Sequence, residues 1–255
     1  NKDDTYSTHP NKSKRLNAIK IGFNKALGKE QVVYEKKSNL NTAEEYFYRA
    51  YEKSVKGHYI GAISDYTKAI EINPNYADAY NNRGNNKDDL KDYYGAISDY
   101  TKAIEINPNN EDAYYNRGIS KYYSKDYNGA ISDFTKAIEI NPKEADVYNN
   151  RGLVKDDLKD YYGAISDYTK AIEINPNFVL AYTGRGNTKT NLKDYNGAIS
   201  DFTKAIEINP NFASAYFVRG INKYYLNDFY GACIDVKKAQ GLGYDDDDVK
   251  QLINI

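Results

Sequence analysis

The side chains that most often carry out chemistry in proteins are scarce in this sequence. The chain contains one cysteine, Cys233, and two histidines, His9 and His58, which lie far apart in the sequence. Zinc sites and cysteine–histidine nucleophile pairs need several such residues close together. We therefore expect no catalytic site, no metal and no cofactor, and the sequence predicts a protein that is not an enzyme.

Charged residues, by contrast, recur at fixed positions every 34 residues. The arginines are Arg49, Arg83, Arg117, Arg151, Arg185 and Arg219; the lysines are Lys53, Lys87, Lys121, Lys155, Lys189 and Lys223; the aspartates are Asp65, Asp99, Asp133, Asp167, Asp201 and Asp235. Cations spaced i and i+4 share one helix face, and an unpaired charge between helices is costly to desolvate. We therefore expect the aspartates, together with tyrosine hydroxyls, to bind these cations. A cation stripe for phosphate or nucleic acid is the less favoured alternative, because every cation has an anion at the same period.

The same 34-residue period recurs in other residue types. It therefore indicates a repeating structural element that positions these charges. Five of the six prolines stand 34 residues apart, namely Pro74, Pro108, Pro142, Pro176 and Pro210. Residues 80–109 match residues 148–177 at 28 of 30 positions. A period of this length with helical spacing indicates stacked helical hairpins, because one hairpin cannot bury its apolar face without neighbours.

One repeat, residues 77–110, illustrates the expected hairpin. The pattern predicts a first helix, helix A, over Ala77 to Leu90, a turn, and a second helix, helix B, which Asp92 caps and Pro108 ends. Small residues, among them Gly84, let the helices approach closely. The predicted repeats are 43–76, 77–110, 111–144, 145–178, 179–212 and 213–240.

These repeats resemble the tetratricopeptide repeat family, whose pattern has an aromatic residue at position 4, glycine at 8, alanine at 20 and proline at 32. Position 4 is tyrosine in all six repeats, and position 8 is glycine in all but the first, which has Ala50. Arginine at position 7 and lysine at position 11 depart from the apolar residues that the family usually has there. The resemblance implies an all-α, right-handed superhelical solenoid that acts as a protein-interaction scaffold.

In the family's geometry, positions 2, 5, 6, 9, 12 and 13 of helix A face a concave groove. The candidate peptide-binding residues are Phe47, Tyr48, Tyr51, Asn81, Asn82, Asn85, Asp88, Tyr115, Asn116, Ile119, Tyr122, Asn149, Asn150, Asp156, Phe217 and Tyr224. Asparagine amides both donate and accept hydrogen bonds and tyrosines add rigid contact area, a mixture that suits an extended peptide. The alternatives are that the asparagines are merely solvated and that some of the tyrosines pack between helices.

The charge of this face bears on the partner. Family members that grip an acidic chaperone tail use lysine and arginine at positions 2, 5 and 6, where this chain has Asp78, Asn81 and Asn82. We therefore expect a neutral or basic protein segment as the ligand, and no nucleic acid. The other function that the sequence leaves open is a structural or assembly protein that self-associates as a homo-oligomer through its repeat ends or a basic N-terminal arm.

The two ends of the chain differ in charge from the repeats. Residues 1–42 carry nine lysines and arginines against four acidic residues. We expect them to be partly disordered, with a capping helix around Leu16 to Leu27. Their positive charge suits an arm that binds in the acidic groove of the same chain or of a neighbouring copy. Residues 241–255 are predicted to form a C-terminal capping helix, opened by Asp245 to Asp248 rather than by a calcium loop.

Overall composition sets the remaining limits. The 255 residues have a formal net charge of -1 and no long apolar run, which argues against a membrane span and against a general attraction to nucleic acid. The chain has no methionine, even at residue 1, which indicates that the native N terminus precedes Asn1. The sequence therefore leaves open whether the protein is cytoplasmic or exported.

Overall fold

The computed structural model describes residues 41–244, and over this range the chain forms twelve α-helices and no strand. It divides into two compact units after Asn141. The first contains α1 (Ala43–Val55), α2 (Tyr59–Ile72), α3 (Ala77–Asp89), α4 (Tyr93–Ile106), α5 (Glu111–Tyr123) and α6 (Tyr127–Ile140). The second contains α7 (Ala145–Asp157), α8 (Tyr161–Ile174), α9 (Val179–Asn191), α10 (Tyr195–Ile208), α11 (Ala213–Tyr225) and α12 (Phe229–Gly241).

Within each unit, every odd-numbered helix packs against the even-numbered helix that follows it, and consecutive hairpins pack against each other. The expected all-α class and the helix-turn-helix hairpins are confirmed. Each odd-numbered helix is the predicted helix A of its repeat, and each even-numbered helix is helix B.

The turn inside each hairpin is built the same way in five repeats. One residue takes a positive φ, as Lys91 does at 63°, and the next residue is an aspartate that caps helix B. The Asp92 side chain accepts a hydrogen bond from the Gly95 backbone N–H at 3.0 Å, so the predicted cap is confirmed. In the first repeat Gly57 takes the positive φ, and α2 begins after His58, whose side chain makes no capping bond.

Close approach of the two helices depends on the small residues at their contact. A Cβ atom built on Gly84 would lie 2.7 Å from the ring of Tyr100, which is fully buried. Ala96 and Ala103 of α4 are also fully buried. Glycine at position 8 therefore makes room for the aromatic residue at position 24, as the sequence pattern indicates.

Both predicted capping helices fall wholly or mostly outside the described residues. The N-terminal one lies before residue 41, and all but the first four residues of the C-terminal segment lie beyond residue 244.

Candidate peptide-binding surface

The recurring charges form an ion-pair ladder along the contact between helices A and B. In the second repeat, the Arg83 guanidinium donates two hydrogen bonds to the Asp99 carboxylate, at 2.9 and 2.7 Å, and Lys87 Nζ lies 2.8 Å from the same carboxylate. Asp99 itself is only 3% exposed. The same arginine, lysine and aspartate positions form both ion pairs in all six repeats. The predicted pairing of cations with aspartates is confirmed.

Threonine hydroxyls complete the ladder, in place of the tyrosine hydroxyls expected from the sequence. Arg83 Nη1 lies 3.0 Å from the hydroxyl of Thr67 in the preceding repeat, and Arg185 binds Thr169 in the same way. The tyrosine at position 4 contributes its ring instead, with the arginine 5.2 to 5.7 Å from the ring centroid in the six repeats. The expectation of tyrosine hydroxyls is therefore wrong in this detail, because the planar guanidinium stacks on the ring.

The first repeat shows how these contacts act on a carboxyl group. Burial alone raises the pKa of Asp65, but hydrogen bonds and charges from Arg49 and Lys53 outweigh burial, and the pKa of Asp65 is lowered. The aspartate is thus held ionised by its two cations. Since every cation of the stripe binds a carboxylate, the ladder is a structural feature rather than an anion-binding one.

The structure separates the sixteen candidate peptide-binding residues into two groups. Nine are buried, with 6% of their surface exposed or less: Phe47, Asn82, Asp88, Tyr115, Asn116, Ile119, Asn149, Asn150 and Phe217. Seven are half-buried: Tyr48, Tyr51, Asn81, Asn85, Tyr122, Asp156 and Tyr224. These nine side chains are largely covered by their neighbours, and their part in peptide binding stays a prediction.

Most of the asparagines satisfy one another instead of pointing to solvent. Asn116 Nδ2 lies 3.4 Å from Asn81 Oδ1, and Asn86 Nδ2 donates to the Asn82 carbonyl at 2.7 Å. The Tyr100 hydroxyl lies 2.8 Å from Asn85 Oδ1 and equally far from Asp88 Oδ2, so its single proton is shared between the two oxygens. Within the described residues, Asn86 Oδ1 and Asn149 Oδ1 are buried and accept no hydrogen bond.

A second polar ladder, which the sequence pattern did not predict, joins the A helices of neighbouring repeats. The hydroxyl of Ser120 donates to the Asp88 carboxylate at 2.7 Å, and the hydroxyl of Thr188 donates to Asp156 at the same distance. Thr190 donates to Asn222 Oδ1 at 2.9 Å. Each bond joins position 12 of one repeat to position 10 of the next, 32 residues on. In the sequence, each of these three bonds has a polar residue at both positions.

The remaining surface of the A helices is acidic. Loss of hydration raises the pKa of Asp78, and the negative charge of Asp112, at the same position of the next repeat, adds to this. Burial likewise raises the pKa of Asp156, the Asp157 charge adds to this, and the hydrogen bond from Thr188 opposes it. A cationic group of a ligand would relieve this repulsion.

Four tyrosines of the A helices belong to two groups of aromatic rings. We define aromatic cluster 1 as Tyr93, Tyr122, Tyr123 and Tyr127, and aromatic cluster 2 as Tyr195, Tyr224, Tyr225 and Phe229. In cluster 1 the Tyr123 ring stacks on Tyr93 of the preceding repeat, with centroids 5.3 Å apart. The alternative that these tyrosines pack between helices is therefore correct in part, although Tyr123 and Tyr225 stay exposed.

Between residues 41 and 244, no three histidine, cysteine or acidic side chains are placed to hold a metal ion. None of the helices described here is long and apolar enough to cross a bilayer. Cys233 is half-buried, as are the isoleucines at the same position of the other repeats.

Comparison with known families gives a direct match. The family model of the tetratricopeptide repeat matches residues 77–110, 111–144, 145–178 and 179–212, which together make up more than half of the chain. A second model, described as a TPR repeat, matches residues 56–85. No curated protein matches the sequence.

Solved structures show the same fold. YrrB, titled a TPR protein with an unusual peptide-binding site, is 26% identical with a TM-score of 0.64, and the match covers 74% of this chain and 98% of YrrB. A crystal structure of MamA is 29% identical with a TM-score of 0.62, covering 65% of this chain and 96% of MamA. PilF of Pseudomonas aeruginosa has a TM-score of 0.70 at 19% identity, covering 82% and 95%, and shows the fold alone.

Proposed function

The chain belongs to the tetratricopeptide repeat family, and from this premise we propose that it is a non-enzymatic scaffold that binds an extended peptide segment of a partner protein on its A helices. Proteins with this fold generally mediate protein–protein interactions. The printed title of YrrB, which describes a peptide-binding site, supports a peptide as the ligand.

One observation carries the proposal for the first unit. Its A helices keep two tyrosines, Tyr48 and Tyr51, and two asparagines, Asn81 and Asn85, half-buried rather than covered. The amide of Asn85 is held by the Tyr100 hydroxyl, so its position is set before a ligand binds. Rigid aromatic rings and preset amides lower the entropic cost of binding an extended chain.

Charge favours a neutral or basic segment. Residues 1–42 are net +5 and the whole chain is -1, so residues 43–255 are net -6. Asp78 and Asp112 add local negative charge to the A-helix face of the first unit. Electrostatic complementarity of this kind selects partners and speeds association more than it adds affinity.

The proposal is tested with an array of extended peptides of acidic, neutral and basic composition. We expect the full chain to bind neutral or basic peptides and the triple variant Tyr51→Ala/Asn81→Ala/Asn85→Ala to lose at least about tenfold in affinity. The matched control is Tyr94→Ala/Tyr162→Ala, which removes two exposed tyrosines from the B helices. Circular dichroism checks that each variant is folded.

Two results would contradict the proposal. One is peptide binding that the control reduces as much as the triple variant does. The other is a chain that captures no peptide but whose mass in light scattering rises with concentration, which would favour the assembly function and a homo-oligomer instead.

A further inference from the structure

The first repeat lacks a contact that joins later repeats to one another. Arg49 donates to Asp65 from Nε and Nη2, and its Nη1 donates no hydrogen bond within residues 41–244. The Arg49 side chain is 45% exposed, against 15 to 17% for the other five arginines at position 7. In four later repeats the same Nη1 donates at 2.9 to 3.1 Å to the threonine at position 25 of the preceding helix B: Arg83 to Thr67, Arg117 to Thr101, Arg185 to Thr169 and Arg219 to Thr203. Arg49 thus offers a donor where these four arginines have a threonine.

Position 10 shows that α1 is not built to receive a preceding helix A. This position contacts helix A of the preceding repeat, as Ser120 does with Asp88, and it is buried in repeats two to six. In the first repeat it is Glu52, which is exposed. A helix A packed on α1 would bury this carboxylate without a partner, which is costly.

Position 3 of α1, by contrast, is compatible with a preceding helix B. In the second repeat this position is Ala79, which shares a buried cluster with Tyr66 of the preceding helix B. The first repeat has Glu45 here, and its carboxylate accepts hydrogen bonds from the backbone N–H groups of Asn41 and Thr42, at 2.9 and 3.2 Å. Since this charge is already bonded within the cap of α1, the outer face of α1 suits a helix B that has no helix A of its own.

Residues 17–27 resemble such a helix B. They read NAIKIGFNKAL and match residues 128–138, NGAISDFTKAI, at four of 11 positions. The alignment places Phe23 at position 24 and Ala26 at position 27, which are buried in all six repeats. It also places Asn24 at position 25, the position of the threonine that accepts from arginine. The asparagine side-chain oxygen is an acceptor as well.

The residues before this segment do not form the matching helix A. In the same frame, positions 7 and 8 are Tyr6 and Ser7, in place of arginine and glycine. Position 23, where every repeat has the aspartate that pairs with the cations of its own hairpin, is Gly22. An aspartate without those cations would be buried unpaired, so its absence agrees with a helix B that stands alone.

Two helices are available to fill the place in front of α1, and charge distinguishes them. The chain's own segment is joined to α1 by residues 28–42, which span up to about 50 Å when extended. A second copy of the chain would offer its last helix B, α12, in which Lys237 replaces the threonine at position 25. This lysine is exposed and would meet Arg49 as a like charge. The chain's own segment is therefore the better fit.

We propose that residues 17–27 form a lone helix B that packs on α1, and that Asn24 Oδ1 accepts a hydrogen bond from Arg49 Nη1. Phe23 and Ala26 supply the apolar side of this contact. The helix closes the N-terminal end of the repeat stack, and arrays of this kind need such a capping element. The segment then lies at the end of the stack and not along the A-helix surface, which stays open to a partner.

Hydrogen exchange of the full chain, followed by mass spectrometry, tests the proposal. We expect the amides of residues 17–27 to be protected in the parent. Asn24→Lys sets a like charge against Arg49 and should raise the exchange rates of residues 17–27 and of α1 at least about tenfold. Asn24→Thr, which restores the residue of the later repeats, should keep the protection. In an Arg49→Ala background, Asn24→Lys should cause little further increase.

The matched control is Asn17→Lys, which adds the same charge at position 18, where Asn128 and Asn196 are exposed. It should leave the exchange rates close to those of the parent. Three results would overturn the proposal: unprotected amides in residues 17–27 of the parent, equal effects of the two lysine variants, or protection that rises with protein concentration, which would indicate a neighbouring copy. Loss of this protection in the variant Tyr51→Ala/Asn81→Ala/Asn85→Ala would also overturn it, since the segment would then lie in the groove.

Discussion

The second and fourth repeats are nearly the same sequence in different surroundings. Residues 80–109 and 148–177 differ at two of 30 positions, where Asn85 and Asn86 are replaced by Leu153 and Val154. Both repeats build the same ion-pair ladder, and the same aspartate caps helix B in each. They differ in the polar contacts of helix A.

Position 12 makes the difference clear. Asp88 is 5% exposed and accepts hydrogen bonds from the Ser120 and Tyr100 hydroxyls, whereas the identical Asp156 is half-buried and accepts from Thr188. The residue is the same in both repeats, but Asp88 also lies 2.8 Å from the Tyr100 hydroxyl of its own repeat. The following repeat supplies the donor, so each hairpin takes part of its environment from its neighbour.

The largest expected effect concerns what the two repeats share. Asp99→Ala and Asp167→Ala each leave an arginine and a lysine without their carboxylate in the helix contact, and each should lower the free energy of unfolding by about 3 kcal/mol. Because the two ladders have the same geometry, the two losses should be similar. Urea denaturation followed by circular dichroism measures both.

The control for this prediction is Glu105→Ala, which breaks the exposed pair with Lys102. Exposed pairs contribute little to stability, so this variant should stay close to the parent. An equally small effect of Asp99→Ala would mean that the ladder contributes no more than a surface ion pair.

A smaller effect is expected at position 10, where the repeats differ. Asn86 is 1% exposed, and its Oδ1 accepts no hydrogen bond within the described residues, whereas Val154 is buried to the same extent and carries no polar atom. Val154→Asn should therefore destabilise the fold by about 2 kcal/mol, and Asn86→Val should stabilise it by about 1 kcal/mol. Thermal and urea unfolding measure the stability of both variants. A loss of stability in Asn86→Val equal to that in Val154→Asn would contradict the prediction.

The smallest effect is a pH dependence at Asp156. Its pKa is raised by burial and by the charge of Asp157, so the folded state binds the proton more tightly than the unfolded state. The stability that this group contributes is therefore present at low pH and is lost as the pH rises through the raised pKa. Asp156→Asn, which keeps an acceptor for Thr188, should raise the melting temperature slightly at about pH 7 and leave it nearly unchanged at about pH 3.

The control for the pH dependence is Asp89→Asn, at an exposed aspartate of the second repeat. It should change the melting temperature equally little at both pH values. A benefit of Asp156→Asn that persists unchanged at low pH would show that loss of the charge is not its cause.

Much of the fold follows from the sequence because its local rules agree with one another. The period of 34, the proline that follows helix B and the aspartate that caps it predict the hairpins, and the arginine, lysine and aspartate spacing predicts the ion-pair ladder. The sequence did not predict how deeply several candidate site residues are buried. The family's geometry places position 6 in the groove, yet Asn82 and Asn116 are buried. The Asn116 amide, for example, bonds to Asn81 of the preceding repeat.

What the sequence alone determined is the part that repeats: which residues form helices, where each turn falls and which charges must pair. Local propensity and periodicity decide these features within one hairpin. Only the tertiary structure decided which residues stay accessible and which hydroxyl reaches Asp88 or Asp156, because those contacts come from a residue 32 positions away on the next hairpin. Burial at one position depends on the side chains of the neighbouring repeat, and near-identical repeats therefore present different surfaces.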